Sequence, residues 1–215
     1  MIKRITSFGA ILGMFLLSYS VQAEQTIAGG MDVSEGDPKA GKAKSELCHV
    51  SHDVDGMSID PTTFPNLAGQ YAGYIFKQVQ DFQLGNRQDD TMSAMAGMVT
   101  SKEDLRDIAV YFRSQKKMKG ELTDSALAKQ GAKIFKDGVP KSGVYGCVNC
   151  HGKNGKGKGP NNSLFPVIGG QTKAYLVKQL NDLKSGKRKN DPAGMMAAIA
   201  KKLSDKEIQA VAEYL

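Results

Sequence analysis

The chain has 215 residues, of which 29 are Lys or Arg and 22 are Asp or Glu, so its formal charge is +7 at pH 7. This charge falls to +5 if Lys3 and Arg4 are removed with a leader, and no basic stripe interleaved with aromatic residues accompanies it. Composition therefore argues against a nucleic-acid partner.

The first 23 residues predict a cleaved export signal. Lys3 and Arg4 precede an apolar stretch over residues 8–17, and a small residue, Ala23, marks the cleavage point. The alternative is an uncleaved anchor, but the apolar stretch is shorter than the ~20 residues that a membrane-spanning helix needs. The Gly-rich polar segment over residues 24–36 predicts a flexible N-terminus.

Helix signals open a first half that we place at residues 37–117. Asp37 followed by Pro38 is a typical helix start, and the sequence over 39–48 predicts one helix.

A loop, a second helix and a capped final helix complete this half. Residues 64–70, Phe-Pro-Asn-Leu-Ala-Gly-Gln, predict a loop, and apolar residues over 74–82 recur at helical spacing. Residues 100–103, Thr-Ser-Lys-Glu, match a capping box, in which a hydroxyl and a carboxylate satisfy free N–H groups at a helix start. No run of residues predicts a β-strand.

The second half repeats the first after a polar linker over residues 118–124. It covers residues 125–215, with Asp124 as its helix start, a loop over 165–171 and a capping box at Ser204. Matched residues continue after each loop: Tyr74/Tyr175, Lys77/Lys178, Gln78/Gln179, Asp81/Asp182, Gly85/Gly186 and Arg87/Arg188. The sequence therefore predicts an all-α protein of two tandem domains related by internal duplication.

The strongest functional signal is the C-x-x-C-H pattern of Cys147, Cys150 and His151. On a helical turn, residues three and four apart share a face, so both thiols and the imidazole point the same way. The pattern is typical of covalent haem attachment, in which each thiol bonds one vinyl group and the histidine binds iron. Zinc would need further Cys or His ligands, and a redox-active thiol pair would need a βαβ setting.

Two methionines are candidates for the second axial position on iron. Eight residues before the predicted capping residues Thr100 and Ser204 lie Met92 and Met196. Methionine opposite histidine raises the potential of haem iron and occupies both axial positions, which favours electron transfer. Methionines also commonly fill cores, and others lie nearby: Met95, Met98 and Met195. We predict Met196 for the second half, and Met92 for the first with Met95 as the alternative.

The first half departs from the haem pattern at one position. It reads Cys48-His49-Val50-Ser51-His52, so a serine replaces the second thiol while Cys48 and His52 remain. Ser51 cannot form a thioether, which leaves three alternatives: haem held by Cys48 alone with His52 and Met92, haem held without a covalent bond, or an empty domain. The retained axial ligands favour a bound haem. Without haem, Cys48 would be a free thiol or an intermolecular disulfide partner.

Together these elements resemble the class I c-type cytochromes, specifically the dihaem cytochrome c4 family. The resemblance covers nearly all of the chain after the export signal and lies in the haem motif, the Phe-Pro-x-Leu-x-Gly-Gln loops, the Tyr-x-x-x-Gln helices and the methionine loops. It implies a periplasmic protein with two similar all-α domains that relays single electrons towards a terminal oxidase. It also implies that Cys147 and Cys150 are the thioether links of the second haem and that His151 and Met196 are its axial pair.

Two other functions stay open at this point. The chain could be the cytochrome subunit of a periplasmic dehydrogenase, as in sulfur oxidation, or a peroxidase-like haem enzyme with an altered first site. No acid-base pair or nucleophile predicts another catalytic activity, so we expect an electron carrier rather than an enzyme. Its partners would be redox proteins, and any association with a membrane would be through those partners. A set of basic residues predicts a docking rim for an acidic partner: Lys153, Lys156, Lys158, Lys184, Lys187, Arg188 and Lys189.

Overall fold

The computed structural model describes residues 33–120, 123–159 and 164–215. The predicted signal peptide and most of the predicted flexible segment lie outside these ranges. Within them, regular structure is helical apart from one isolated pairing between Val139 and Val144, which confirms the all-α prediction. No helix in the described part of the chain is long and apolar enough to cross a membrane.

Helices follow the same order in both halves. Those of the first half are α1 Pro38–Lys44, α2 Glu46–His52, α3 Ala72–Gln83, α4 Asp90–Gly97 and α5 Lys102–Ser114. Those of the second half are α6 Ala126–Asp137, α7 Val148–His151, α8 Lys173–Ser185, α9 Met195–Ala200 and α10 Asp205–Tyr214. The methionine segments that we expected as loops are therefore helices, α4 and α9.

The first and last helices of the first half cross at a glycine. α1 packs against α5 so closely that a Cβ at Gly41 would overlap the carbonyl oxygen of Asp107. α3 also packs against α5, and Val33 joins the core from the N-terminal segment. The buried core consists of Ala72, Ile75, Phe76, Leu105, Ile108, Ala109, Tyr111 and Phe112.

The second half builds the same crossing from α6 and α10. A Cβ at Gly131 would overlap the carbonyl oxygen of Ala210, which stands where Asp107 stands in the first half. The buried core consists of Ile134, Phe135, Val144, Leu203, Ile208, Ala210 and Val211. Both halves thus depend on a glycine that admits two helix backbones to close contact.

Ser45 divides the helix that we predicted over 39–48. Its side chain is buried, donates a hydrogen bond to the carbonyl oxygen of Lys42 (3.0 Å) and lies 2.8 Å from Nε2 of His49. Because a serine hydroxyl competes for backbone acceptors, the chain leaves the helix here and starts α2 one residue later.

Two predicted helix caps are confirmed. The Asp37 carboxylate accepts from the backbone N–H of Lys39 at 2.7 Å and caps α1. Ser204 and Glu207 form the complete reciprocal capping box of α10.

Two other caps lie one residue beyond the predicted position. Ser101, and not Thr100, caps α5 by accepting from the N–H of Asp104 at 3.2 Å. Ser125, and not Asp124, caps α6. In both places two adjacent residues could accept the hydrogen bond, and the second one does.

The two halves meet through a reciprocal pair of buried glutamines. Gln70 accepts from the N–H of Val167 (3.0 Å) and donates to its carbonyl oxygen (2.8 Å). Gln171 accepts from the N–H of Asn66 (2.7 Å) and donates to its carbonyl oxygen (2.9 Å). Each amide thus satisfies both backbone groups of a residue in the other half, as a neighbouring strand would.

Met118, the first residue of the predicted linker, is buried at this junction. It packs in a cluster with Ala68 and Tyr71 of the first half and Val167 of the second. Apolar burial therefore accompanies the polar pairing where the halves join.

Candidate functional site

His151 of the haem motif is the last residue of α7 and is only 5 % exposed. Its Nδ1 lies 2.8 Å from the carbonyl oxygen of Pro166 in the Phe-Pro loop. Because a carbonyl oxygen can only accept, Nδ1 carries the proton and Nε2 keeps a free lone pair. Burial lowers the pKa of His151, against the opposing effect of the Pro166 hydrogen bond, and so keeps the imidazole in its neutral, metal-binding form.

His52 has the same surroundings in the first half. It ends α2, is also 5 % exposed, and its Nδ1 lies 2.8 Å from the carbonyl oxygen of Pro65. Burial lowers its pKa, again against the hydrogen bond to the proline carbonyl. The altered motif therefore retains an imidazole that is buried, neutral and oriented like His151.

The thiols differ in exposure. Cys48 and Cys147 are half-buried against the cores of their halves, and burial raises the pKa of each thiol to about 11. Cys150 is exposed, and the three thiols form no disulfide. A high pKa disfavours the thiolate that zinc or a redox-active disulfide would need, and no group of three or more metal-ligating side chains occurs in the described ranges.

Ser51 stands on the same helical turn as the retained ligands of the first half. It is half-buried and its carbonyl oxygen accepts from the N–H of Ile59 at 3.3 Å. Position 51 lies one turn after Cys48 and precedes His52, as Cys150 follows Cys147 and precedes His151. The first half thus lacks the second sulfur atom of the motif but keeps the other residues around that position.

The structure weakens the argument by which we selected Met92. α5 is capped by Ser101, so Met92 lies nine residues before the cap, whereas Met196 lies eight residues before Ser204. Met92 and Met95 are both half-buried within α4, and both stay predictions for the first iron.

In α9 the two neighbouring methionines differ in exposure. Met196 is half-buried, whereas Met195 is 43 % exposed. The difference favours Met196, which stays the predicted ligand of the second iron.

Matched residues of the repeat lie at the junction between the halves, and among them only Arg188 was assigned a role from the sequence, as part of the docking rim. Arg87 is buried, donates to Gln78 of its own half at 2.7 Å, and donates to Tyr175 and Gln179 of the other half at 2.9 and 2.8 Å. The only signal in the sequence was the spacing of Tyr175 and Gln179, since residues four apart share one helical face.

Arg188 makes the reciprocal set of hydrogen bonds. It donates to Gln179 at 2.9 Å, to Tyr74 at 3.1 Å and to Gln78 at 3.2 Å. Burial acts to raise the pKa of Tyr74, but the charges of Arg188 and Arg87 hold it below its usual value. Two arginines, two tyrosines and two glutamines therefore form one hydrogen-bonded network across the junction.

Three residues of the predicted docking rim are already engaged within the molecule. Lys156 donates to the carbonyl oxygens of Met118 and Gly169, each at 2.7 Å. Arg188 belongs to the junction, and Lys184 pairs with Asp205 at 2.7 Å. The other four members of the rim form no ion pair inside the described ranges: Lys153, Lys158, Lys187 and Lys189.

The residues present fit haem c in both halves. Each half offers a buried imidazole with a free Nε2, a cysteine one helical turn away and thioether sulfurs on a later helix. This is the donor set of a His/Met haem iron with covalent attachment.

The comparisons with known proteins agree with this fit. A family model described as cytochrome c matches residues 128–215. The chain is 43 % identical over 197 residues to cytochrome c4 of Stutzerimonas stutzeri, covering 86 % of this chain and 91 % of that one. It is 37 % identical over 169 residues to a thiosulfate dehydrogenase electron acceptor from strain A1501 of that species, covering 78 % of this chain and 76 % of that one.

A solved structure shows the same likeness in three dimensions. The reduced recombinant cytochrome c4 from Pseudomonas stutzeri superposes with a TM-score of 0.77 at 42 % identity. The match covers 83 % of this chain and 97 % of that one.

Proposed function

The chain belongs to the cytochrome c4 family, and from that premise we propose that it relays single electrons between periplasmic redox proteins through haem held in both halves. It is a c-type cytochrome with covalently bound haem c, as its relatives are. The observation that carries the proposal for both halves is the pair of buried histidines, each with Nδ1 bonded to a proline carbonyl.

In the second half, we assign Cys147 and Cys150 as the thioether links and His151 and Met196 as the axial ligands. The exposure of Met195 and the burial of His151 support this assignment.

In the first half, we assign Cys48 as the single thioether link, His52 as one axial ligand and Met92, or else Met95, as the other. The support is that His52 matches His151 in burial, tautomer and hydrogen-bond partner, although Ser51 removes the second link.

The protein residues hold and insulate the electron-carrying group. Haem held by a histidine and a methionine from each half would supply one-electron transfer, and with both protein ligands in place it would offer no position to peroxide. The carbonyl oxygens of Pro65 and Pro166 fix the imidazole orientation, and burial keeps water from both rings. No observation favours the peroxidase-like alternative, and we do not propose it.

We place a terminal oxidase or another respiratory protein as the electron acceptor. A second candidate role is acceptor for a periplasmic dehydrogenase, which the similarity to a protein named thiosulfate dehydrogenase electron acceptor supports. Co-purification with a catalytic subunit distinguishes the two roles.

Intact mass of the exported protein tests the proposal for both halves. We expect a chain that begins at Glu24 and carries two haem masses. One haem mass would overturn the assignment of covalently attached haem to the first half, and a colourless protein would overturn the proposed function.

Absorption of the pyridine haemochrome tests the single thioether. A vinyl group left unsaturated by single attachment shifts the band to longer wavelength. We expect Ser51→Cys to remove the red-shifted component, whereas Ser58→Cys, outside the motif, should leave it. An unchanged spectrum in Ser51→Cys would contradict a site that is intact around Cys48.

The near-infrared thioether-to-iron band of the oxidised protein tests the methionine. We expect Met196→Ala to lose the second-half band and Met195→Ala to keep it. The reverse result would move the assignment to Met195.

A further inference from the structure

The two halves carry opposite charge around their histidine motifs. Residues 45–76 contain four acidic residues and no Lys or Arg, whereas residues 138–181 contain six lysines and no Asp or Glu. Over the predicted domains, residues 37–117 hold ten basic and eleven acidic residues, and residues 125–215 hold sixteen basic and six acidic residues. One chain therefore has an acidic and a strongly basic end.

The acidic end combines carboxylates with exposed apolar side chains. Val50 is 63 % exposed and lies on the side of α2 opposite His52, with Leu47 one turn before it and Val54 just after the helix. Asp53 and Asp55 flank Val54 and are exposed. We call the following residues the acidic face: Glu46, Leu47, Val50, Asp53, Val54 and Asp55.

The corresponding surface of the second half is basic. Ninety-nine residues further along the chain, Val50 corresponds to Asn149, Val54 to Lys153 and Ile59 to Lys158. Both lysines are exposed, and Tyr145, which corresponds to Glu46, is 79 % exposed. We call Tyr145, Asn149, Lys153 and Lys158 the basic face.

Charged groups of both faces are free to meet a partner. No ion pair within the described ranges involves Glu46, Asp53, Asp55, Lys153 or Lys158. Asp53 and Asp55 accept hydrogen bonds only from backbone N–H groups in their own loop.

We propose that the acidic face of one copy docks on the basic face of a second copy. Each face offers what the other needs, because carboxylates beside exposed valines meet lysines beside an exposed tyrosine. A head-to-tail contact of this kind uses two different patches, so every copy keeps one face available for the next. The steering charges are screened by salt, so the contact is weak and short-lived at physiological ionic strength.

This inference rests on the proposed function for its consequence. The contact brings the second half of one copy against the first half of another, so an electron leaving a reduced haem in one copy has a route to an oxidised haem in the next. Docking itself needs only the two faces, and it is measured separately from electron transfer.

Zero-length cross-linking between carboxylates and amines tests the contact on the holoprotein. Equal amounts of ¹⁴N- and ¹⁵N-labelled protein are mixed at low ionic strength, and mixed-isotope peptides identify cross-links between copies. We expect these to join Glu46, Asp53 or Asp55 to Lys153 or Lys158. Their yield should fall steeply at ~1 M salt, where the Debye length is about 3 Å.

A charge-matched pair of variants decides the outcome. Asp53→Asn with Asp55→Asn keeps the side-chain acceptors and removes two charges, and it should lower the yield of the cross-link from Glu46, a carboxylate that this variant retains, roughly threefold or more. Glu35→Gln with Glu103→Gln removes two exposed charges of the same half outside the acidic face and should leave the yield unchanged. No mixed-isotope peptides, or peptides spread evenly over the lysines, would overturn docking between copies. So would equal loss in both variants. None of these results would bear on the haem content that tests the proposed function.

Discussion

The two halves of the chain share a frame and differ in the chemistry attached to it. Both close a helix crossing on a glycine, Gly41 or Gly131, and both hold a buried histidine against a proline carbonyl. They differ where a second thiol would stand, at Ser51, and in the charge of the surrounding surface. The orientation of the buried histidine therefore does not depend on the second thiol, because His52 keeps the same hydrogen-bond partner as His151 although Ser51 stands where the second half has Cys150.

The largest expected effect comes from filling the helix crossings. Gly131→Ala places a methyl group into the backbone of α10, and Gly41→Ala does the same against α5. We expect each to lower the free energy of unfolding by about 3 kcal/mol, the upper part of the usual range for overpacking. Urea unfolding followed by circular dichroism measures both.

Gly97 in α4 supplies the control. A Cβ there would meet no atom within 4 Å, so Gly97→Ala should stabilise the helix by up to about 1 kcal/mol. A large loss at one crossing and none at the other would show that the halves do not share this feature.

The next largest effect comes from removing the glutamine hydrogen bonds at the junction. Gln171→Ala removes both partners of the buried Asn66 backbone, and Gln70→Ala does so for Val167. Each should cost about 2 kcal/mol, because buried backbone groups lose their hydrogen bonds. Gln209→Ala, at an exposed position of α10, serves as the control. Equal midpoints for all three variants in urea would contradict a junction that stabilises both halves.

A smaller effect of opposite sign is expected at Asp53. This residue has φ 54° and ψ 169°, a conformation that strongly favours glycine, and the second half has Gly152 at the same place with φ 76° and ψ 175°. Asp53→Gly should relieve strain and raise the free energy of unfolding by about 1 kcal/mol. Asp55→Gly, at a position without positive φ, should lower it. Thermal melting of the two variants shows which sign is correct.

The smallest effect distinguishes the halves by pH. Burial acts to raise the pKa of Asp107, but hydrogen bonds from Lys44 and from the N–H of Asp37 hold it below its usual value. A depressed carboxyl pKa contributes stability above the unfolded value of about 3.9, and that contribution is lost as pH falls below it. Asp107→Asn should therefore weaken the acid dependence of unfolding below about pH 4, whereas Gln209→Ala, at an exposed position of α10 in the other half, should leave it unchanged. Urea midpoints at pH 5 and pH 3 provide the measurement.

Much of this fold could be predicted from the sequence, because apolar spacing and the haem motif are local signals. Helix ends were harder. Thr100 and Ser101 are adjacent hydroxyl residues, and only packing decides which one caps α5. Ser45 ends α1 through a hydrogen bond from its hydroxyl to the carbonyl oxygen of Lys42, which composition does not reveal.

The surroundings of the two candidate histidines could not be predicted from the sequence. The partner of each histidine is a backbone carbonyl, and every residue type has one, so Pro65 and Pro166 gave no chemical signal. Arg188 looked like part of a basic surface, whereas tertiary packing buries it beside Tyr74 and Gln78. The first-half methionine also depended on a cap that the structure places one residue later.

The reciprocal pair of buried glutamines also bears on how the two halves can diverge. Gln70 and Gln171 bind the main chain of residues 167 and 66, not their side chains. These hydrogen bonds accept either side chain at the contacted position, which is a valine in one half and an asparagine in the other, where the Asn66 amide also donates to the carbonyl oxygen of Gly170. The two halves of a duplicated chain can in this way differ in sequence while the junction between them is kept.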